Sequence, residues 1–435
     1  MGELWSSLPG TARDAALFAL LLAPLLVAWA VVPRGFSLWP LLNGLFRKQW
    51  GLSLIFTGLI AIAVAMGAGL IAQERALREG MARSAEKFEL IIAAPGNEIT
   101  TMLASVYLQP AQMQLLSGET YQKVATHPLV EMASPLAFGD SFEGAPVVGT
   151  TPQFVDHLSG SLAAGRVFEA EDEAVIGAGV ALSLGDEFEP VHGTGEQGAL
   201  DEHGAELTVT GVMEPTGSPW DNAILVPVEQ VWEVHALPNG HPLNWDGAVG
   251  PPFDPASFPG TPAILVTTAS LWEAYSLRNE FSTTETMAFF PGTVLAELHV
   301  IMGDIRTVMS TLTIVTQALV AVSVLAGLTI LMRLLARRVA LLRALGAPKR
   351  FVFALSWSFA TLMICTGAIL GLLISLAVTS VLSDMISAQT QIIVVARLTW
   401  TELQLVAGFV SAASLLSLLP AWIATRRPLV EDLRA

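Results

Sequence analysis

Four stretches of this chain have the length and polarity of membrane-spanning helices, and they constrain the fold more than any other feature. Leu52 to Ile71, Val308 to Leu335, Phe353 to Leu382 and Leu403 to Ile423 are almost free of charge and reach the ~20 residues that a bilayer core demands of a helix. The second and third are longer still, so they tilt or project beyond the lipid. A fifth run, Ala15 to Val32, precedes them. Val32-Pro33-Arg34 is a poor cleavage site, so this run is read as an additional spanning helix that is retained. With 53% hydrophobic residues, 14% charged and a mean hydropathy of +0.58, the whole chain sits outside the range of soluble domains.

Charge then divides the chain between compartments. Between Glu74 and Asp304 acidic residues outnumber basic ones by roughly four to one or more, while cations gather at Arg47-Lys48, Arg333 to Arg350 and Arg426-Arg427. The positive-inside rule puts those clusters in the cytoplasm, which places the acidic block and the short Ser383 to Thr401 connection outside, together with the N-terminus. A formal charge of −16 excludes a nucleic-acid partner, because phosphate binding needs a basic surface. The single cysteine, Cys365, lies in an apolar run and reads as a small buried hydrophobe.

The expected organisation is therefore an extra N-terminal transmembrane helix and an interfacial helix over 1–49, a first core helix over 50–73, an extracytoplasmic mixed α/β domain over 74–304, and three further helices over 305–435. Phe36 to Gln49 mixes Trp39, Leu41, Leu42, Leu45 and Phe46 with terminal cations, as a helix lying in the interface does. In the acidic block "AEKFELIIAAPG" opens with an extended apolar run, and "AVIGAGVALSLGDEF" reads as a strand, a short helix and a Gly-Asp turn. "ELTVTGVMEP" alternates Leu207, Val209, Gly211 and Met213 as a half-buried strand does. "AILVPVEQVWEVH" predicts a strand, a proline break and a helix, and His235 to Pro262 a long loop.

The most specific stretch is "RRVALLRALGAPKR", Arg337 to Arg350. Leu335, Val339, Leu342 and Leu345 follow near-helical spacing, Arg337, Arg338 and Arg343 serve other faces, and Gly346 supplies a helix stop before Pro348. A topology anchor explains the cations but not the helix-stop-turn order. That order resembles the cytoplasmic signature of the FtsX/MacB-type permeases of ABC transporters, in which R-E-I-A-L-L-R-A-L-G-A precedes a basic pair; Arg338 and Val339 stand here where the family has Glu and Ile. "FRKQWGLSLIFTGLIAIAVAM" is similar to the family's opening, "PLVEDLRA" to its ending, and "AAGRVFEAEDEAVIGAGVALSLG" to a stretch of the MacB periplasmic domain.

The resemblance covers the chain from about residue 47 onward and implies a permease subunit that works with a cytoplasmic ABC ATPase and a second permease copy, identical or related. It implies that Arg337, Arg338, Leu342, Arg343, Leu345 and Gly346 belong to the helix that couples to the ATPase. ATP is then held by the partner subunit, since no Gly-Lys pair of a phosphate-cradling loop occurs here and the chain itself binds no cofactor. The implied function is ATPase-driven motion passed across the membrane for export or extraction of a lipoprotein, lipid or small molecule. Two alternatives stay open: a signalling module that controls a periplasmic partner such as a cell-wall hydrolase, and a zinc-linked transport system.

Catalytic patterns are missing: there is no G-x-S-x-G, no H-E-x-x-H and no acid pair within a span. His192, His203, His235 and His241 lie in Gly-, Asp- and Glu-rich segments of the acidic block and could hold zinc or a similar metal, although their spacing matches no recognised site. "MEPTGSPWDN" reads as a turn-rich polar loop open to a structural or a binding role. Gly367 and Gly371 form a G-x-x-x-G pair for close helix packing, within one subunit or at a dimer seam.

Overall fold

The computed structural model describes residues 9–193, 206–245, 247–334, 343–390 and 392–426. It divides into two compact units: Met1–Leu77 with Ile305–Asp384 and Val395–Ala435, and Arg78–Asp304 with Met385–Val394.

The first unit is helical. Among the described residues, Gly10–Val31, Trp50–Ala85, Lys349–Ala388 and Trp400–Ile423 are long and apolar enough to cross a membrane. A further helix, Pro291–Leu334, carries the shorter apolar stretch Ile314–Gly327. The N-terminal helix is joined to the bundle: Gln404 Nε2 donates to the Asp14 carbonyl at 3.1 Å, the Ser411 hydroxyl donates to the Leu21 carbonyl, and Trp29 packs on Trp357 at 5.8 Å. The amphipathic segment forms the helix Trp39–Lys48, with Leu42 buried, Trp39 exposed, and Arg47 and Lys48 in the last turn, where cations suit the negative end of the helix dipole. Ile60, Val64, Phe359, Met363 and Val410 form the middle of the bundle core.

Gly367 and Gly371 let the helix Lys349–Thr390 approach the helix Trp50–Ala85 within the same chain. A Cβ on Gly367 would stand 2.8 Å from Cβ of Ile60, and one on Gly371 2.7 Å from the Ala61 carbonyl oxygen. The G-x-x-x-G pair thereby meets Ile60, Ala61 and Val64 of its own chain.

The second unit is α/β with two sheets. The smaller is antiparallel and ordered β12 (Met287–Phe289), β1 (Leu90–Ala93), β11 (Ala263–Thr267), β2 (Met132–Pro135). The larger runs β5 (Leu162–Gly165), β9 (Leu207–Met213), β6 (Glu173–Ile176), β10 (Ile224–Pro227), β4 (Ala145–Thr150), β3 (Ala137–Phe142), β8 (Val191–His192), with β7 (Glu187–Phe188) also on β9. In β9 the buried positions are Leu207, Val209, Gly211 and Met213, the alternation expected of a strand with one covered face. β10 ends at Pro227, where the helix Val228–Val234 starts, because proline cannot continue a ladder but suits a helix entrance.

The helix expected after β6 is absent. Gly177 N–H donates to the Ala223 carbonyl at 2.9 Å and Gly179 N–H to that of Asp221 at 2.6 Å, so these donors serve the neighbouring Pro219–Asn222 turn and the segment stays in turns. In "GRVFEAEDEAV" the Arg166 guanidinium grips Glu173, whose carboxylate also accepts from Glu169 N–H at 2.8 Å. The guanidinium hydrogen bond holds the Glu173 carboxyl below the usual carboxylate range. The loop of "MEPTGSPWDN" is closed on itself: Asp221 accepts from Thr216 N–H at 2.7 Å and Gly217 N–H at 2.8 Å, and the buried Trp220 indole donates to the Val106 carbonyl.

Candidate functional site

Three constellations carry chemistry beyond packing. The first is the turn that precedes the helix Lys349–Thr390. Arg337, Arg338 and Leu342 lie outside the described residues; Arg343, Leu345 and Gly346 lie within them. Gly346 has φ +98°, a left-handed conformation open to glycine at little cost, and its N–H donates to the Arg343 carbonyl at 3.1 Å. Phe351 N–H bonds the Pro348 carbonyl at 2.9 Å and starts the next helix. Leu345 is 85% exposed.

The second constellation escaped the sequence reading. Arg75 Nη1 donates to Glu402 Oε1 at 2.9 Å and to the Thr399 hydroxyl at 2.8 Å, while Nη2 donates to the Arg397 carbonyl at 2.8 Å. Glu402 is fully buried, and its second oxygen accepts from Thr399 N–H at 2.7 Å, completing a capping box at the start of Trp400–Leu416. The ion pair thus clamps the helix Trp50–Ala85 to the entrance of another spanning helix. The T-x-x-E pattern at Thr399 to Glu402 was the available signal.

The third lies in the second unit. Asp140 on β3 and His192 on β8 are register partners, and directly opposed residues in an antiparallel pair share a face. A bulge between Phe138 and Asp140 re-aims the strand there. His235 caps the C-terminus of Val228–Val234 and closes the group: its Nε2 lies 3.2 Å from His192 Nδ1 and 3.7 Å from Asp140 Oδ1, with His192 Nδ1 3.3 Å from the same oxygen. Gly139 leaves room for the ring, since a Cβ there would stand 2.9 Å from His235 Nε2. Asp140 is buried, His235 half-buried and His192 exposed.

Of the other two histidines of the sequence reading, one is described, and it does not join this group. His203 lies outside the described residues. His241 is buried elsewhere in the unit, 3.1 Å from Glu229 and stacked on Trp245. Glu171 senses that acidic neighbourhood: burial, then Glu233 and Glu229, push its carboxyl above the usual range. Asp140 was not among the residues picked out by sequence, because only the β3–β8 register makes it a neighbour of His192 and only the end of the helix Val228–Val234 brings His235 to it.

A multi-helix bundle with an α/β domain inserted between the first and second core helices defines the class as a multi-pass membrane protein with a large extramembrane domain. Family models identify it further: residues 53–270 match the MacB-like periplasmic core domain and residues 310–429 the FtsX-like permease C-terminal domain. The chain belongs to the FtsX/MacB-type ABC transporter permeases and is an inner-membrane protein with a large periplasmic domain. Among solved structures it is similar to the periplasmic region of MacB from Actinobacillus actinomycetemcomitans, with 12% identity, 50% of this chain and 95% of that one covered, and a TM-score of 0.30. It is also similar to the extracellular domain of the noncanonic ABC-type transporter YknZ from Gram-positive bacteria, with 13% identity, 46% and 98% covered, and a TM-score of 0.28. The family models, rather than these superpositions, carry the assignment. No curated protein sequence matches the chain.

Proposed function

We propose that this chain is the transmitting subunit of an ABC complex: two permease copies work with two copies of a separate cytoplasmic ATPase, and ATP-driven closure of the ATPase pair is passed through the membrane helices to the periplasmic domain. The observation that carries the reading is the Leu345–Gly346 turn, where an exposed leucine sits beside a glycine whose φ of +98° holds the turn in one shape. Family membership supports an ATPase as the partner. Cargo such as a lipoprotein, a lipid or a small molecule is then engaged on the periplasmic side, and the spanning segments need no polar conduit.

Co-purification from native membranes in mild detergent, with the recovered material assayed for ATP hydrolysis, tests this. Wild type is expected to bring down an ATPase. Gly346→Pro, whose ring fixes φ near −65° and removes the N–H that closes the turn, is expected to lose it. Leu345→Glu alters an exposed side chain without touching the core and is expected to lose at least about tenfold of the recovered activity, about 1.4 kcal/mol of contact free energy. An ATPase retained by Leu345→Glu, or missing from wild type, overturns the proposal.

A further inference from the structure

We infer that Asp140, His192 and His235 form a binding site for one zinc-class divalent cation on the periplasmic domain, a site independent of the ATPase-coupling turn. The spacing carries the argument. A tetrahedral zinc with bonds of about 2.0–2.1 Å sets its ligand atoms about 3.3 Å apart. The three ligand atoms here are separated by 3.2, 3.3 and 3.7 Å, so a position about 2.0 Å from all of them exists without moving any side chain. The two imidazoles are within hydrogen-bond reach of each other at 3.2 Å, while the two contacts to Asp140 Oδ1, at 3.3 and 3.7 Å, are longer than the 2.9–3.0 Å at which N–H···O bonds cluster.

The protonation of the second ring argues the same way. Nδ1 of His235 is 2.7 Å from the Val231 carbonyl oxygen. A carbonyl only accepts, so Nδ1 carries the proton and Nε2 presents a lone pair to the group. Donation from the far ring nitrogen to a backbone carbonyl is the usual way a ligating imidazole is oriented and its tautomer fixed. The lone pair of His235, the carboxylate of Asp140 and the ring of His192 thus converge on one point from a helix end and two paired strands.

Two imidazoles and a carboxylate suit zinc and its first-row neighbours rather than magnesium or calcium, which prefer all-oxygen shells. Among the described residues three ligands converge, and a tetrahedral ion takes one donor more. Half of the His192 side chain surface, 52%, is exposed, so the cation can enter and leave from solvent. Binding would fasten the two-residue strand β8 at the sheet edge to the helix Val228–Val234.

The test uses the full chain in detergent with any affinity tag removed. Zinc is titrated in competition with a chromophoric chelator, and cobalt(II) is added separately as a spectroscopic probe. The expected result is one zinc per chain and the visible absorption bands of four-coordinate cobalt. His192→Ala, which truncates an exposed ring, and Asp140→Asn, which keeps the shape of a buried side chain, are each expected to weaken zinc by about 100-fold or more, beyond the 10–100-fold loss typical of an outer-shell partner. His241→Gln is expected to leave both signals unchanged. Wild type that binds no stoichiometric zinc, equal affinity in His192→Ala, or loss of the cobalt bands on His241→Gln overturns the inference.

Discussion

Glu402 and Asp140 are both buried carboxylates, one in each unit, and the protein answers them in opposite ways. Glu402 meets a guanidinium that is always charged, and Thr399 takes up its second oxygen through backbone and hydroxyl. Asp140 faces two imidazoles, at 3.3 and 3.7 Å, the groups that with it form the inferred cation site. The first arrangement joins two helices through a partner of fixed charge. The second is conditional and can be loaded and emptied. A buried acid is therefore read by the constancy of its partner as much as by its depth.

The contrast can be broken most directly at Arg75. Arg75→Ala leaves Glu402 buried without its cation and is expected to cost about 3–5 kcal/mol, seen as a drop of several degrees in the unfolding temperature in detergent. An unchanged melting curve would make the clamp ornamental. Next in size is ligand-linked stabilisation: zinc at about 100 times its Kd should stabilise wild type by about 2.7 kcal/mol and leave His192→Ala where it was. Equal shifts in both would erase the distinction between the two acids. Gly371→Leu should cost about 1–3 kcal/mol by forcing a side chain against the Ala61 carbonyl and Val64, without altering zinc stoichiometry.

The smallest effect concerns the exposed Arg166–Glu173 pair. Glu173 has a folded pKa below its unfolded one, so its contribution is present above the ordinary carboxylate range and lost as pH falls through the depressed value. Glu173→Gln should therefore show a small loss of stability at neutral pH that disappears as pH falls through the depressed value, which flattens the acid limb of the stability curve. Glu171 has the opposite sign: its carboxyl is raised by burial, so the folded state gains when it is protonated and loses as pH rises through that raised value. Glu171→Gln should remove this loss at neutral pH.

What could be read from sequence tracks how local each cause is. The β9 alternation, the proline break at Pro227 and the glycine stop at Gly346 each follow from a few neighbouring residues, and the structure carries all three. The family motifs were similarly legible because each is a short contiguous string. The helix expected after β6 fails because its amide donors bond to residues more than 40 positions away. Arg75 and Glu402 are 327 residues apart. Asp140 and His192 become neighbours only through a bulge and a two-residue strand, features with little signature of their own. Of the three described histidines among the four named together, the fold unites two, and it supplies a carboxylate that composition could not single out.

The lengths of the helices set how the protein meets its lipid. Trp50–Ala85, Pro291–Leu334 and Lys349–Thr390 have 36, 44 and 42 residues, which at 1.5 Å per residue is about 54, 66 and 63 Å against a hydrocarbon core of about 30 Å. Length alone therefore cannot fix their depth. Arg75 on the first helix and Asp384 on the third mark where immersion has to end. A thicker bilayer would draw those charges toward hydrocarbon and a thinner one would strip lipid from apolar turns, so a change of membrane thickness puts a load on the tilt of this bundle.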